Sequence, residues 1–320
     1  MANPNVGQRV AANWELVVKT KPEDQIHDDY WLLNQLSQGD GFVGKSGGDF
    51  ITCPIEYGLN TTVSSYSDTD LISTTRVDVF DRYEAQWKEY AVTVVVSDLE
   101  IDRNSGEGQV FSLLPAKLQN AKESLRATFN ADLFGAGTAN SSKVFTGLQA
   151  LVSSTPSSGT VQGVDRGSYS FSRNQQTAGT QTASAFDNLR ASIRSVYNLS
   201  SNGISSDHPT FGVTTRTVHE GFEGLLIANE RFDKKGTGQA SFDKLQFRGM
   251  SISWDNDCPS GNFYLLNPKF LKLVYKTGAW MKAQPPIRPA NQTLDVIVIR
   301  TMANLFTTNP RRLGVVTSIT

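Results

Sequence analysis

A chain of 320 residues, 38% of them hydrophobic, can bury a sizeable core, which excludes a disordered polymer and allows one large domain or two ordinary ones. Its 30 basic and 31 acidic residues leave a formal charge of −1, so no global field draws it onto nucleic acid or an anionic membrane. Cys53 and Cys258 form no CxxC pair for zinc or redox chemistry, and no stretch has the length of a membrane span or the apolar core of a signal peptide, so synthesis in a reducing cytosol is expected.

Residues 1–47 read as an N-terminal arm with its own helical stretches. Trp14, Leu16, Val17 and Val18 precede the breaker Lys21-Pro22, and Ile26, Tyr30, Leu33 and Leu36 then share one helical face. From Gly48 the period changes. Phe50 to Tyr57 reads as extended, Gly58 to Asp70 as a polar loop, and Leu71 to Val96 as a return leg rich in β-branched residues, so a hairpin is read from about Gly48 to Val96. Its tip holds too few large apolar residues for a core of its own, and such a hairpin is held by another domain or another molecule.

Ser105-Gly106-Glu107-Gly108 breaks the chain before a long amphipathic helix placed at Gln109 to Phe134. Leu114, Leu118, Ala121, Leu125, Phe129 and Leu133 recur every three or four residues, Pro115 is tolerable only near a first turn, and Gly135 stands at the C-terminal cap. From Leu114 onward it would reach about 30 Å, a structural spine. The Ser, Thr, Gly and Gln stretch between Leu151 and Gln181 reads as long loops. Ser184 to Leu199 and Thr217 to Ile227 read as helices and Pro209 to Thr214 as a strand, an alternation suited to a small α/β unit. Strands close the chain at Thr293 to Arg300 and Asn309 to Val316.

One glycine-rich turn matches three catalytic patterns. Gly39-Asp40-Gly41-Phe42-Val43-Gly44-Lys45-Ser46 fits the phosphate-binding GxxxxGKS loop, its first six residues fit GxGxxG, and Gly44 to Gly48 fits the nucleophile elbow GxSxG. Each needs a strand before the turn and a helix after it, because the anion or nucleophile sits at a helix N-terminus. Here a helical run precedes and an extended run follows, so the segment is read as a flexible turn between arm and hairpin. The histidines, His27, His208 and His219, have no metal-ligand spacing, and the five tryptophans are not interleaved with Lys and Arg as in a base-stacking platform.

Four stretches together resemble the major capsid protein family of tailed bacteriophages. Gly47-Gly48-Asp49-Phe50-Ile51-Thr52-Cys53-Pro54-Ile55-Glu56-Tyr57 is similar to the opening of that family's extended loop, and Gln109 to Phe134, with Val144 to Val152 after it, to its spine helix and the strand and turn that follow. Gly159 to Arg166 is similar to a glycine-valine-aspartate-arginine stretch of one branch, although Phe171-Ser172-Arg173-Asn174 stands where that branch has a Trp-Arg pair. Leu245 to Ile252, Asp257 to Leu266 and the last strands follow the order of its axial domain.

The resemblance implies an α+β fold in four parts: the arm at 1–47, the extended β-hairpin loop at 48–90, a peripheral domain with the spine helix at 91–180 and 286–320, and an axial α/β domain at 181–285. It implies a non-enzymatic shell protein, without cofactors, that forms pentamers and hexamers of an icosahedral head. Expected partners are further copies of itself, a portal, scaffolding or decoration proteins, and enclosed double-stranded DNA held without sequence-specific binding; no membrane is involved. No large extension precedes the arm, so any scaffold is expected to be a separate protein or the arm itself. Localisation follows as the virion, after synthesis in the host cytoplasm. Glu56, Tyr57, Tyr66, Asp70, Arg76, Arg82, Trp14 and Trp31 are the candidate inter-subunit contacts. The alternatives are an encapsulin-like cage holding cargo and, third, a phosphate-loop nucleotide hydrolase.

Overall fold

The computed structural model describes residues 30–38, 40–103, 113–181, 186–203, 207–229 and 245–319. The main elements are α1 (Trp31–Gln38), β1 (Phe42–Lys45), β2 (Phe50–Glu56), β3 (Phe80–Gln86), β4 (Lys88–Ser97), α2 (Asp98–Arg103), α3 (Leu113–Phe134), β5 (Thr160–Val161), β6 (Val164–Asp165) and β7 (Gln175–Gln181). They continue with α4 (Phe186–Ser200), β8 (Phe211–Thr214), α5 (Arg216–Asn229), β9 (Leu245–Phe247), β10 (Met250–Trp254), β11 (Phe263–Leu266), β12 (Leu271–Lys276), β13 (Lys282–Ala283), β14 (Leu294–Thr307) and β15 (Gly314–Ile319).

The apolar period read from sequence becomes the buried face of α3, where Ala121, Leu125, Phe129, Leu133 and Phe134 enter the main core. Pro115 is its third residue, inside the first turn where its missing N–H costs nothing, and the expected residues 109–112 lie outside the described chain. The helix ends at Phe134. Gly147 then crosses so close to its end that a Cβ there would stand 2.3 Å from Gly135 O, which fixes how the following loop folds back.

Two sheets flank this spine. One takes the order β1-β12-β14-β13, with β4 also paired to β14, and β4 and β14 run antiparallel from Leu294↔Ser97 to Ala303↔Lys88. The other has the order β7-β15-β11-β8-β10-β9. Along β11, Tyr264 and Leu266 face the main core while Phe263 and Leu265 face a second core with Leu189, Ile193 and Val196 of α4 and Val218 and Phe222 of α5. A strand buried on both faces reads as a continuous apolar run, which is why Phe263-Tyr264-Leu265-Leu266 shows no alternation.

The structure corrects two sequence readings, those of the Leu151–Gln181 stretch and of the glycine turn. The Leu151–Gln181 stretch is not all loop, since Gln175–Gln181 pairs in parallel with β15. With β15 it joins the sheet of β8, β10 and β11, whereas β12 and β13 join the sheet of β4 and β14, so strand pairing crosses the division drawn at 180 and 286. The flexible glycine turn contains a paired strand, Phe42↔Leu273 through Lys45↔Lys276. The end of the arm is also core, because Leu32, Leu33 and Leu36 of α1 are buried in the main cluster.

Candidate assembly surfaces

The hairpin is a two-stranded ribbon, β2 against β3 from Phe50↔Gln86 to Glu56↔Phe80, that touches the rest of the chain mainly at its root. Alternation sends Ile51, Tyr83 and Ala85 inward onto Val164, Val274 and Phe306 in a small cluster separate from the main core. Glu84 N donates to Gln162 O at 2.9 Å, Trp87 Nε1 to Gly48 O at 2.8 Å, and Asn304 Nδ2 to Gln86 O at 2.7 Å. Beyond the root, residues 57–79 form no helix or strand. There Leu59 is 88% exposed, Val63 86% and Leu71 99%, with Tyr66 and Ile72 also exposed. Uncovered apolar side chains gathered on one projection make it a candidate interaction surface.

The sequence-predicted contacts divide according to where the fold puts them. Glu56, Tyr66, Asp70 and Arg76 are exposed on the projection, with Asp70 Oδ2 accepting from Ser67 N at 2.9 Å in a local turn. Tyr57 is partly tied to its own chain, donating to Asp78 O at 2.9 Å and stacking on Phe171 at 5.5 Å between ring centroids. Arg82, whose side chain is 70% exposed, pairs with Glu84 of the same strand at 2.6 Å. Trp31 is half-buried and packs in part against its own main core, with a buried indole N–H. Trp14 lies outside the described residues.

Sequence reasoning missed the apolar half of this surface, Leu59, Val63, Leu71 and Ile72. Their only signal was isolation: large aliphatic residues without helical or strand period inside a polar loop. A second apolar surface was also missed. Val95 and Ile287 are exposed and both pair with Val296, so the three form one cross-strand row, and the exposed Leu99 and Ile101 follow directly in α2.

Chemistry-bearing groups are turned to structural work. Around Lys45 a helix precedes and no helix follows, and Lys45 Nζ donates to Phe50 O at 3.1 Å, so the phosphate-loop geometry is not formed. Buried Asp255 joins three elements, accepting from Leu32 N at the start of α1 at 3.3 Å, from Asn130 Nδ2 of α3 at 2.8 Å, and from Asp257 N at 3.1 Å. Burial raises its pKa above the ordinary carboxylate value, and these donors oppose that shift. His208 stacks on Tyr197, and burial lowers the pKa of His219. Among the described residues no group of three or more His, Cys, Asp or Glu is arranged to hold a metal ion, and no helix is long and apolar enough to cross a membrane.

No family model matches the chain, and no curated protein matches it in sequence. Solved structures do match. The capsid of cyanophage A-1(L) superposes with a TM-score of 0.68 at 13% identity, covering 100% of this chain and 97% of its own. The capsid of a native GTA particle gives 0.65 at 12% identity over 99% and 100%, and the SrpI encapsulin of Synechococcus elongatus gives 0.63 at 13% over 100% and 96%. The chain therefore has the α+β shell fold shared by tailed-phage capsids and encapsulins, over its whole length.

Proposed function

We propose that this chain is a major capsid protein that assembles as pentamers and hexamers into an icosahedral head enclosing a double-stranded DNA genome. The observation that carries the reading is a shell fold spanning the whole chain whose hairpin leaves Leu59, Val63, Leu71 and Ile72 uncovered. The hairpin tip and the Val95–Val296–Ile287 row are different surfaces on one chain. Contact between unlike surfaces is head-to-tail and generates rings when the rotation closes, which is the geometry that capsomers require. In this reading residues 48–90 act as the extended loop, α3 is the spine of a peripheral domain, and the six-stranded sheet with α4 and α5 forms the axial domain. Glu56, Tyr66, Asp70 and Arg76 then reach a neighbouring copy together with the aliphatic tip. The portal, any scaffolding or decoration protein, assembly in a host cytoplasm and residence in a virion belong to the same proposal.

Negative-stain imaging of the expressed full chain tests it, with rings or closed shells expected. A stable monomer over a wide concentration range would overturn it. The encapsulin match supports a second reading, a cage holding cargo. Nuclease-protected double-stranded DNA in particles from the native source favours the head, and a co-purifying enzyme without DNA favours the cage. Between Lys45 and Lys88 there is no lysine, so the hairpin has no amine for an isopeptide bond to a neighbour. Denaturing electrophoresis of particles is expected to show mainly a single-chain band near 35.0 kDa or slightly below. A ladder resistant to heat, detergent and reductant would contradict a noncovalent shell.

A further inference from the structure

In the segment that seats the hairpin root lies a cation that no carboxylate among the described residues balances. Arg166, in the turn after β6, is 2% exposed. Its Nη2 donates to Leu151 O at 2.5 Å, while Nε has no hydrogen-bond partner. Among the described residues no carboxylate reaches its guanidinium within salt-bridge distance. The neighbouring Asp165 does not serve, because its carboxylate points outward and accepts from Gly167 N, Ser168 N and Ser168 Oγ. The titratable group coupled to Arg166 is Tyr83, an almost fully buried residue of β3, and desolvation outweighs that coupling.

The surrounding contacts place this charge at a joint. Tyr83 belongs to the small cluster through which the hairpin sits on Val164, Val274 and Phe306. The same loop supplies Gln162, which accepts from Glu84 N, and Phe171, which stacks on Tyr57. From below, Arg173 holds the loop by donating to Arg166 O and Gly167 O, both at 2.6 Å. The hairpin root thus packs on the segment that carries this buried guanidinium. A buried charge without a counter-charge opposes the state that buries it.

We propose that Arg166 is a built-in release element for the hairpin: its guanidinium, buried without an ion-pair partner among the described residues in the segment on which the hairpin root packs, opposes the docked position and keeps the hairpin poised to leave its seat. The apolar contacts of Ile51, Tyr83 and Ala85 hold the root down, and Arg166 works against them. Docked and lifted conformers then lie closer in free energy than the contacts alone would set. This inference needs no shell and does not depend on the proposed function.

Hydrogen exchange by mass spectrometry on the full chain, at a matched assembly state checked by sedimentation, tests it with Arg166→Met, which keeps length and apolar stem but removes the charge. In the wild type, amides of Phe50–Glu56 and Phe80–Gln86 are expected to exchange through local opening, faster than those of Leu271–Lys276 and Leu294–Thr307. In the variant, hairpin exchange is expected to slow about tenfold or more while the sheet amides stay unchanged. Unchanged or faster hairpin exchange in Arg166→Met would overturn the proposal, since the arginine would then be an anchor. Should the variant fail to fold, the wild type decides alone: hairpin amides that open only with global unfolding also overturn it.

Discussion

The hairpin and the spine are built from similar numbers of large apolar residues placed to opposite ends. In α3 these residues recur every three or four positions; Phe129 is completely buried among Tyr90, Phe145 and Trp280, and Leu133 is completely buried as well. In residues 57–79 they follow no period, and Leu59, Val63 and Leu71 stand almost wholly in water. Apolar content alone therefore does not separate a fold-forming region from a partner-seeking one; the period and the presence of something opposite do. The spine's apolar face is buried within the chain, whereas the hairpin's aliphatic groups are left uncovered by it.

The sharpest way to break this comparison is to remove one ring from the spine. Phe129→Ala deletes a fully buried side chain in contact with three other aromatics, so a loss of about 3–5 kcal/mol is expected, read as a lower denaturation midpoint at unchanged slope. A loss below about 1 kcal/mol would mean that α3 is not the stability centre.

A smaller effect is expected at Asp255, the polar joint between α1, α3 and the turn before β11. Asp255→Ala leaves Leu32 N, Asn130 Nδ2 and Asp257 N without this acceptor, a loss of about 1–3 kcal/mol. Burial raises the pKa of Asp255, so the fold favours its protonated form. Its contribution is then fully present below the unfolded carboxylate value near pH ~4 and is lost as pH rises through the raised folded value. The gap between wild type and Asp255→Ala should accordingly narrow from about pH 4 to neutrality in denaturant titrations. A gap that widens over the same range would refute the burial argument.

How legible these regions were follows from range. The spine could be read because its signal is local: Leu118, Ala121, Leu125, Phe129 and Leu133 announce a face within two dozen residues. Strand β7 could not. Gln175-Gln176-Thr177-Ala178 carries no apolar alternation, and it becomes a strand because β15 offers Gly314 to Thr317 as a parallel partner from far along the chain. Strand β14 was visible only to Arg300 because its second half is defined by β12, which pairs from Leu271↔Thr307 to Tyr275↔Ala303. The Asn130–Asp255 joint links positions 125 apart and leaves no sequence trace. On the hairpin the charged and tyrosine residues were named as candidate contacts because polar tips attract notice. The aliphatic ones were passed over because single Leu and Val residues in a loop look accidental.

Leu71→Ser combined with Ile72→Ser turns the comparison around. Both residues are exposed on the isolated chain, so its own stability should change by only about 0.5 kcal/mol or less. Assembly should nonetheless require a higher protein concentration, followed by light scattering. A large fall in the denaturation midpoint of unassembled chains would show that the tip is packed in its own fold.

The smallest expected effect concerns Arg82, and it tests whether the hairpin's charges work inside the chain or between chains. Arg82 and Glu84 are two apart on β3, which places them on one face, and their 2.6 Å pair has side chains 70% and 34% exposed. In water such a pair contributes about 0–1 kcal/mol, because hydration competes with it and holding two flexible side chains costs entropy. Arg82→Ala should therefore leave the denaturation of unassembled chains almost unchanged. If the same guanidinium instead meets an acidic group of a neighbour, the substitution removes an attraction that salt screens over about 8–10 Å, and assembly should become less sensitive to ionic strength. Comparing the assembly threshold of wild type and Arg82→Ala at low and high salt separates the two roles. Parallel salt dependences would confine Arg82 to its own strand and leave cohesion to the aliphatic tip.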